Sequence, residues 1–158
     1  MRHTFFEELT SRMETDLRIW AVTADLGMGG FDKIKKRFPD RFLNTGAAEH
    51  AALNICIGLA LQGRIPFFYS ITPFALFRPF ESLKLYIAEE KIPVKIIGSG
   101  RGKNYHIDGP SHDATQARDI LRLFPGIFER WPETKEEIPK IVDEMINTES
   151  PFFLSLKR

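Results

Sequence analysis

Six short, largely apolar runs punctuate the chain, and between them lie stretches whose apolar residues recur at helical spacing. The runs at 19–23, 41–44, 65–69, 94–98, 126–130 and 152–156 read as strands. Being apolar on both sides, they suit a sheet covered on both faces rather than one with a wet side. The helical stretches fall at about 3–15, 31–37, 47–61, 75–90, 114–123 and 134–147. In the last of these, Ile138, Ile141, Val142, Met145 and Ile146 share one face. Strand–helix alternation of this kind predicts a three-layer αβα domain with a mostly parallel sheet of about six strands and right-handed crossovers. No repeat, low-complexity segment or linker interrupts the pattern, and 158 residues suit one domain with one good core.

Parallel sheets bind ligands beyond the carboxyl ends of their strands. The loops to watch are therefore 24–30, 44–49, 70–74 and the long, Gly/Pro-rich and polar 98–113. Charge excludes some partners: 22 Lys and Arg against 21 Asp and Glu leave no global field for nucleic acid or an anionic membrane. The basic run from Lys33 to Arg37 is bounded by Asp32 and Asp40 and reads as a solvated helix face. A single cysteine, Cys56, excludes an internal disulfide and sits in an apolar stretch, as a buried thiol in a reducing compartment would. The first residues lack a secretory apolar region, and no apolar run reaches membrane-spanning length, so a cytoplasmic protein is expected. There is no GxGxxG and no P-loop.

Four loop segments carry chemistry in combination. They are Thr23-Ala24-Asp25-Leu26-Gly27-Met28-Gly29-Gly30, then Asn44-Thr45-Gly46-Ala47-Ala48-Glu49-His50, then Tyr69-Ser70-Ile71-Thr72-Pro73-Phe74, and Asp108-Gly109-Pro110-Ser111-His112. Read alone, Glu49 is an acid in the first turn of a helix, where the dipole welcomes it. Asp25 serves equally as a cap or an ion-pair partner, and the aromatics of the third loop pack a core as readily as they stack on a ligand. In this order and on successive loops, however, the four segments resemble the pyrimidine-binding domain of transketolases, deoxyxylulose-phosphate synthases and their two-subunit relatives. The resemblance spans about residues 20–156.

It implies the pyrimidine-type thiamine-diphosphate-binding fold, with thiamine diphosphate as cofactor. Glu49 would hydrogen-bond the aminopyrimidine ring and favour its imino tautomer, an apolar setting helping to keep the acid neutral. An aromatic of the third loop would stack on the ring; Phe74 is chosen, with Phe77, Arg78 and Tyr69 as neighbours. Asp25 and Leu26 would lie near the cofactor. His112 would face the reactive carbon and move protons near neutral pH, with Asp108 on a substrate hydroxyl. Family members often carry a serine and a histidine for a substrate phosphate where this chain has Gly29 and Gly100. Arg101, Lys103 and His106, or Lys157 or Arg158 at the end of the last strand, are candidates for another anion clamp.

The family's Gly-Asp-Gly…Asn motif, which holds the diphosphate and Mg²⁺, does not occur in this sequence, and no loop carries the carboxylates of a metal cage. The resemblance thus implies a partner subunit that carries the motif and the Mg²⁺, in a heterotetramer with two copies of each chain. The expected activity is transfer of a two-carbon ketol or acyl unit from a ketose or keto acid to an aldehyde. A two-subunit 2-oxoacid decarboxylase or acyloin synthase, and a non-catalytic regulatory partner, are the other readings.

Overall fold

The computed structural model describes residues 1–158. Its sheet has six strands: β1 (Ile19–Thr23), β2 (Phe42–Asn44), β3 (Ile65–Ile71), β4 (Lys95–Ser99), β5 (Phe128–Arg130) and β6 (Phe152–Leu156). They lie in the order β2-β1-β3-β4-β6-β5, and every neighbouring pair is parallel. The expected mostly parallel sheet is wholly parallel. The chain leaves β1 for β2 on one side and returns to β3 on the other, so the order reverses between β1 and β3. A crevice opens beyond the carboxyl ends at such a reversal.

Strand alternation divides the interior in two. Phe67 and Tyr69 of β3 point to one face of the sheet, and Phe68 and Ser70 to the other. On the first face, 18 buried residues include Phe5, Leu9 and Met13 of α1 (Arg2–Thr15), Ile34 of α2 (Asp32–Arg37) and Ile138, Val142 and Met145 of α7 (Ile138–Asn147). On the second, 20 buried residues include Ala52, Leu53 and Cys56 of α3 (Glu49–Leu61), Leu76 of α4 (Thr72–Phe77) and Leu121 of α6 (Ala117–Leu121). Each fully buried Leu, Ile or Phe contributes roughly 1.5–3 kcal/mol. A capping box opens the turn before α7: Glu137 Oε1 accepts from the backbone N–H of Thr134 at 2.8 Å. No helix is long and apolar enough to cross a membrane.

The largest departure from the sequence reading is the helix expected over 75–90. It breaks after Phe77, because Pro79 has no N–H and its ring would collide with the carbonyl of Ala75. A short helix, α5 (Phe80–Ser82), resumes and widens into π-type turns over Leu83–Glu89. The break leaves Arg78 at a corner, with its side chain free to turn back over the start of α4. The long loop after β4 is ordered by two tight turns, His106–Asp108 and Pro110–His112. It closes with a hydrogen bond from Ala114 N to Gly102 O at 2.8 Å.

Candidate functional site

Glu49 begins α3, just beyond β2, and α3 packs across β1 onto β3. Its side chain is 2% exposed. Burying a carboxylate demands partners, and there are two. Ser70 Oγ, at the end of β3, donates to Oε1 at 3.3 Å, and Arg78 Nη1 donates to Oε2 at 2.6 Å. The largely apolar setting expected for Glu49 thus includes a guanidinium that matches its charge.

That guanidinium also sits over an aromatic. The Arg78 carbon Cζ is 3.7 Å from the centroid of the Phe74 ring, well within cation–π range. Phe74, half-buried in the first turn of α4, meets the His112 ring in a T-shaped contact at 4.8 Å between centroids, with the planes at 65°. Ser111 Oγ lies 3.0 Å from His112 Nδ1, which leaves Nε2 free to face outward. Three loops, following β2, β3 and β4, thus deliver a buried carboxylate, an aromatic floor and an imidazole to one spot beyond the sheet.

The family model described as "Transketolase, pyrimidine binding domain" matches residues 1–158. The chain belongs to that family. It is 28% identical to the 6-deoxy-6-sulfo-D-fructose transketolase subunit SqwH of Clostridium sp. (strain MSTE9), over all of this chain and 49% of that protein. It is 32% identical to the 1-deoxy-D-xylulose-5-phosphate synthase of Anaeromyxobacter sp. (strain K), over 98% of this chain and 24% of the synthase. A solved structure described as "Split gene transketolase, inactive beta4 tetramer" superposes with a TM-score of 0.86 at 28% identity, covering 99% of this chain and 51% of its own. The chain therefore spans about half the length of the SqwH subunit and of the split gene transketolase chain, and about a quarter of the synthase.

Within this transketolase-type frame, the expected site residues divide. Glu49, Phe74, Arg78 and His112 meet. Phe77 stands 48% exposed one turn along from Phe74. Asp108 and His106 are exposed on the loop after β4, and His106 lines a cavity of about 230 Å³ with Lys103 and Asp113. Asp25 and Leu26 line a different cavity, of about 360 Å³, with Thr23, Phe42 and Asn44. Asp25 holds a left-handed φ of 52°, which Asp tolerates better than most residues, and its N–H donates to Asn44 Oδ1 at 2.9 Å. No contact joins it to Glu49 or Phe74.

Two expectations are corrected. Tyr69 points to the opposite face of the sheet from Ser70 and Glu49, so it is not a neighbour of Phe74. It packs against Phe5, Phe6 and Phe31, and its hydroxyl accepts from Arg2 Nε at 2.9 Å. Burial raises that hydroxyl above the usual tyrosine range. Arg101 is not a free anion clamp. Its guanidinium donates to Ser155 Oγ at 3.0 Å, Ser155 O at 2.6 Å, Pro132 O at 2.7 Å and Glu133 Oε1 at 3.0 Å, tying the loop to β6. Lys157 pairs with the same Glu133.

The sequence reading missed Ser70 and Tyr105. Strand alternation alone places Ser70 on the Glu49 face. Tyr105 is buried, lies 2.9 Å from Ser99 Oγ, and stands 6.3 Å from His112 between ring centroids. It also accounts for Gly100, where the family often has histidine. That residue has φ +87°, and a Cβ there would come within 2.3 Å of the Tyr105 ring. The largest cavity, about 390 Å³, lies apart from Glu49 and is lined among others by Arg2, His3, Gly29, Lys33 and Arg158.

Proposed function

We propose that this chain supplies the pyrimidine-binding half of a thiamine-diphosphate-dependent, transketolase-like active site that moves a two-carbon ketol or acyl unit. The observation that carries the reading is the conjunction of a buried carboxylate with an aromatic face. Glu49 is buried yet carries a planar N–H donor on one oxygen, and that donor sits over the Phe74 ring. An aminopyrimidine presents the same features, a flat π-system with an N–H edge, so the residues fit the cofactor's ring. When bound, thiamine diphosphate supplies the electron sink that makes carbon–carbon cleavage beside a carbonyl possible.

The chain's own part is to hold and to move protons. Glu49 orients the ring edge through one carboxyl oxygen while Ser70 fixes the other. Phe74, with the exposed Phe77 beside it, sets the ring's plane and keeps water from that face. His112 stands against Phe74, with Nδ1 engaged by Ser111, and its Nε2 exchanges protons with the hydroxyls and carbonyl oxygen of the substrate. Arg158 lies 5.1 Å over Tyr105, and with Lys33, Arg2 and Gly29 it borders the largest cavity. This basic cavity replaces Arg101 as the place for an anionic end of the substrate, a ketose or keto acid donor or an aldehyde acceptor.

The diphosphate and Mg²⁺ belong to a partner subunit with the Gly-Asp-Gly…Asn motif, assembled as two copies of each chain. The exposed apolar surface beside the site supports such a partner. Ala47, Ala48 and Ala51 are exposed at the start of α3, with Ile55 one turn on, and Phe77 is exposed at the end of α4. Reconstitution tests the reading: mixing the chain with its partner restores ketol transfer that neither shows alone. Glu49→Ala leaves assembly intact by size-exclusion chromatography and lowers kcat by about 10²–10⁴-fold, and His112→Ala lowers kcat/KM by about 10²-fold. Full activity in the Glu49→Ala complex would exclude the reading.

A further inference from the structure

In the free chain the seat of the cofactor's ring is already taken. The Arg78 guanidinium is planar, lies 3.7 Å above Phe74 and donates to Glu49 Oε2 at 2.6 Å. At that separation the guanidinium carbon is in van der Waals contact with the ring, and no further ring fits between them. Glu49 Oε1 is occupied by Ser70, so Arg78 holds the carboxyl oxygen that remains for a ligand. We propose that Arg78 is a displaceable occupant of the pyrimidine seat, matching the charge of buried Glu49 until the aminopyrimidine ring takes its place. This rests on the assignment of Glu49 and Phe74 to the ring and adds a competitor for the same two contacts.

The surroundings favour a movable occupant over a fixed brace. The Arg78 side chain is 43% exposed, and Glu49 is its sole hydrogen-bond or ion-pair partner. It sits at the corner between Phe77 and Pro79, where the helix is broken and a long side chain can swing to solvent. Leaving the seat costs one ion pair and one cation–π contact, and the incoming ring replaces both with a hydrogen bond and a π-stack. Without an occupant, Glu49 would face an empty aromatic slot with Ser70 as its one partner.

The test is a titration of the full-length chain with thiamine, which carries the ring but no diphosphate, followed by the chemical shifts of backbone amides around residues 49 and 74. A seat held nine-tenths of the time by Arg78 weakens apparent affinity by about tenfold. Arg78→Ala is therefore expected to bind thiamine about tenfold more tightly than the wild type. If circular dichroism shows the Ala variant misfolded, Arg78→Lys, which keeps the charge but not the flat group, carries the test with the same sign and a smaller gain. Equal affinity overturns the proposal, and so does weaker binding, which would make Arg78 a contact to the ring. No saturable binding by the unblocked variant overturns it too. Glu49→Ala in the Arg78→Ala background separates the two layers. If thiamine binding survives there, the Glu49 assignment itself fails. If binding is lost there while wild type and Arg78→Ala bind alike, only the occupancy by Arg78 fails.

Discussion

Two arginines stand beyond the carboxyl ends of neighbouring strands, and they are held in opposite ways. Arg101, on the loop after β4, has a side chain 13% exposed and four hydrogen bonds, three of them to Ser155 of β6 and to Pro132 just after β5. Burial pulls its pKa below the usual arginine value, and Glu133 partly restores it. Arg78, at the corner after α4, is 43% exposed with one ion pair and one aromatic floor. The first is built into the scaffold. The second can leave. Being a cation on a site loop therefore does not make a residue functional; what decides is how many acceptors would be orphaned by its departure.

The sharpest way to break that contrast is to truncate the braced arginine. Arg101→Ala strands the carbonyls of Ser155 and Pro132 and the Ser155 hydroxyl, and Ser155 is fully buried. Unsatisfied buried groups cost about 1–3 kcal/mol each, partly relieved by relaxation. A net loss of about 3 kcal/mol is expected, roughly 6–12 °C in Tm for a chain of this size. Urea unfolding checks it. A loss below about 1 kcal/mol would show that the four bonds are replaceable and that Arg101 is free after all.

A third cation sharpens the comparison from the buried extreme. Lys95 of β4 is 1% exposed, donates to the carbonyls of Thr148 at 2.8 Å and Ser150 at 2.7 Å, and has no acidic partner. Burial lowers its pKa to about 8. The unfolded chain holds this proton up to about pH 10.4. Between pH 8 and that value the unfolded state therefore binds more protons than the folded one, and Lys95 makes stability rise with pH. Cys56 acts in the opposite sense above about pH 8.5, because burial pushes its thiol up and the unfolded thiol ionises first. The clean measurement is a difference: wild type minus Lys95→Met should gain about 2 kcal/mol from pH 8 to pH 10. A flat difference would mean that the two carbonyls keep Lys95 charged throughout.

Much of this was legible in the sequence because both hydrophobic periods are clean. Runs such as 65–69 and 152–156 are apolar on both sides and became central strands, and the face from Ile138 to Met145 became α7. The motif residues Glu49, Phe74 and His112 were legible as a set because each follows its own strand, and the parallel sheet brings those loop ends together. Tyr69 was misplaced although the information to place it was present, since a one-residue step along a strand changes the face. The fates of Arg101 and Arg78 were not legible. Both lie in loops where no period applies, and their partners, Ser155 and Glu49, are distant in sequence. The break at Pro79 was visible in the sequence, but the helical spacing on either side of it was read through.

The smallest expected effect is also the one that bears most directly on what Arg78 is for. Glu49 is buried, and removing one member of a buried pair often costs several kcal/mol because the other charge is stranded. Here the cation is half-exposed, so truncating it opens the slot above Phe74 and lets water reach Oε2 in its place. Arg78→Ala should therefore cost about 1 kcal/mol or less in the free chain, in keeping with other partly solvated pairs. Salt screens what the solvent already reaches, so the difference from wild type should shrink further in 1 M NaCl, where the screening length is about 3 Å. Paired urea melts at low and high salt measure both quantities. A loss of about 3 kcal/mol that ignores salt would place Arg78 beside Arg101 as part of the scaffold, and the distinction between a brace and an occupant would collapse.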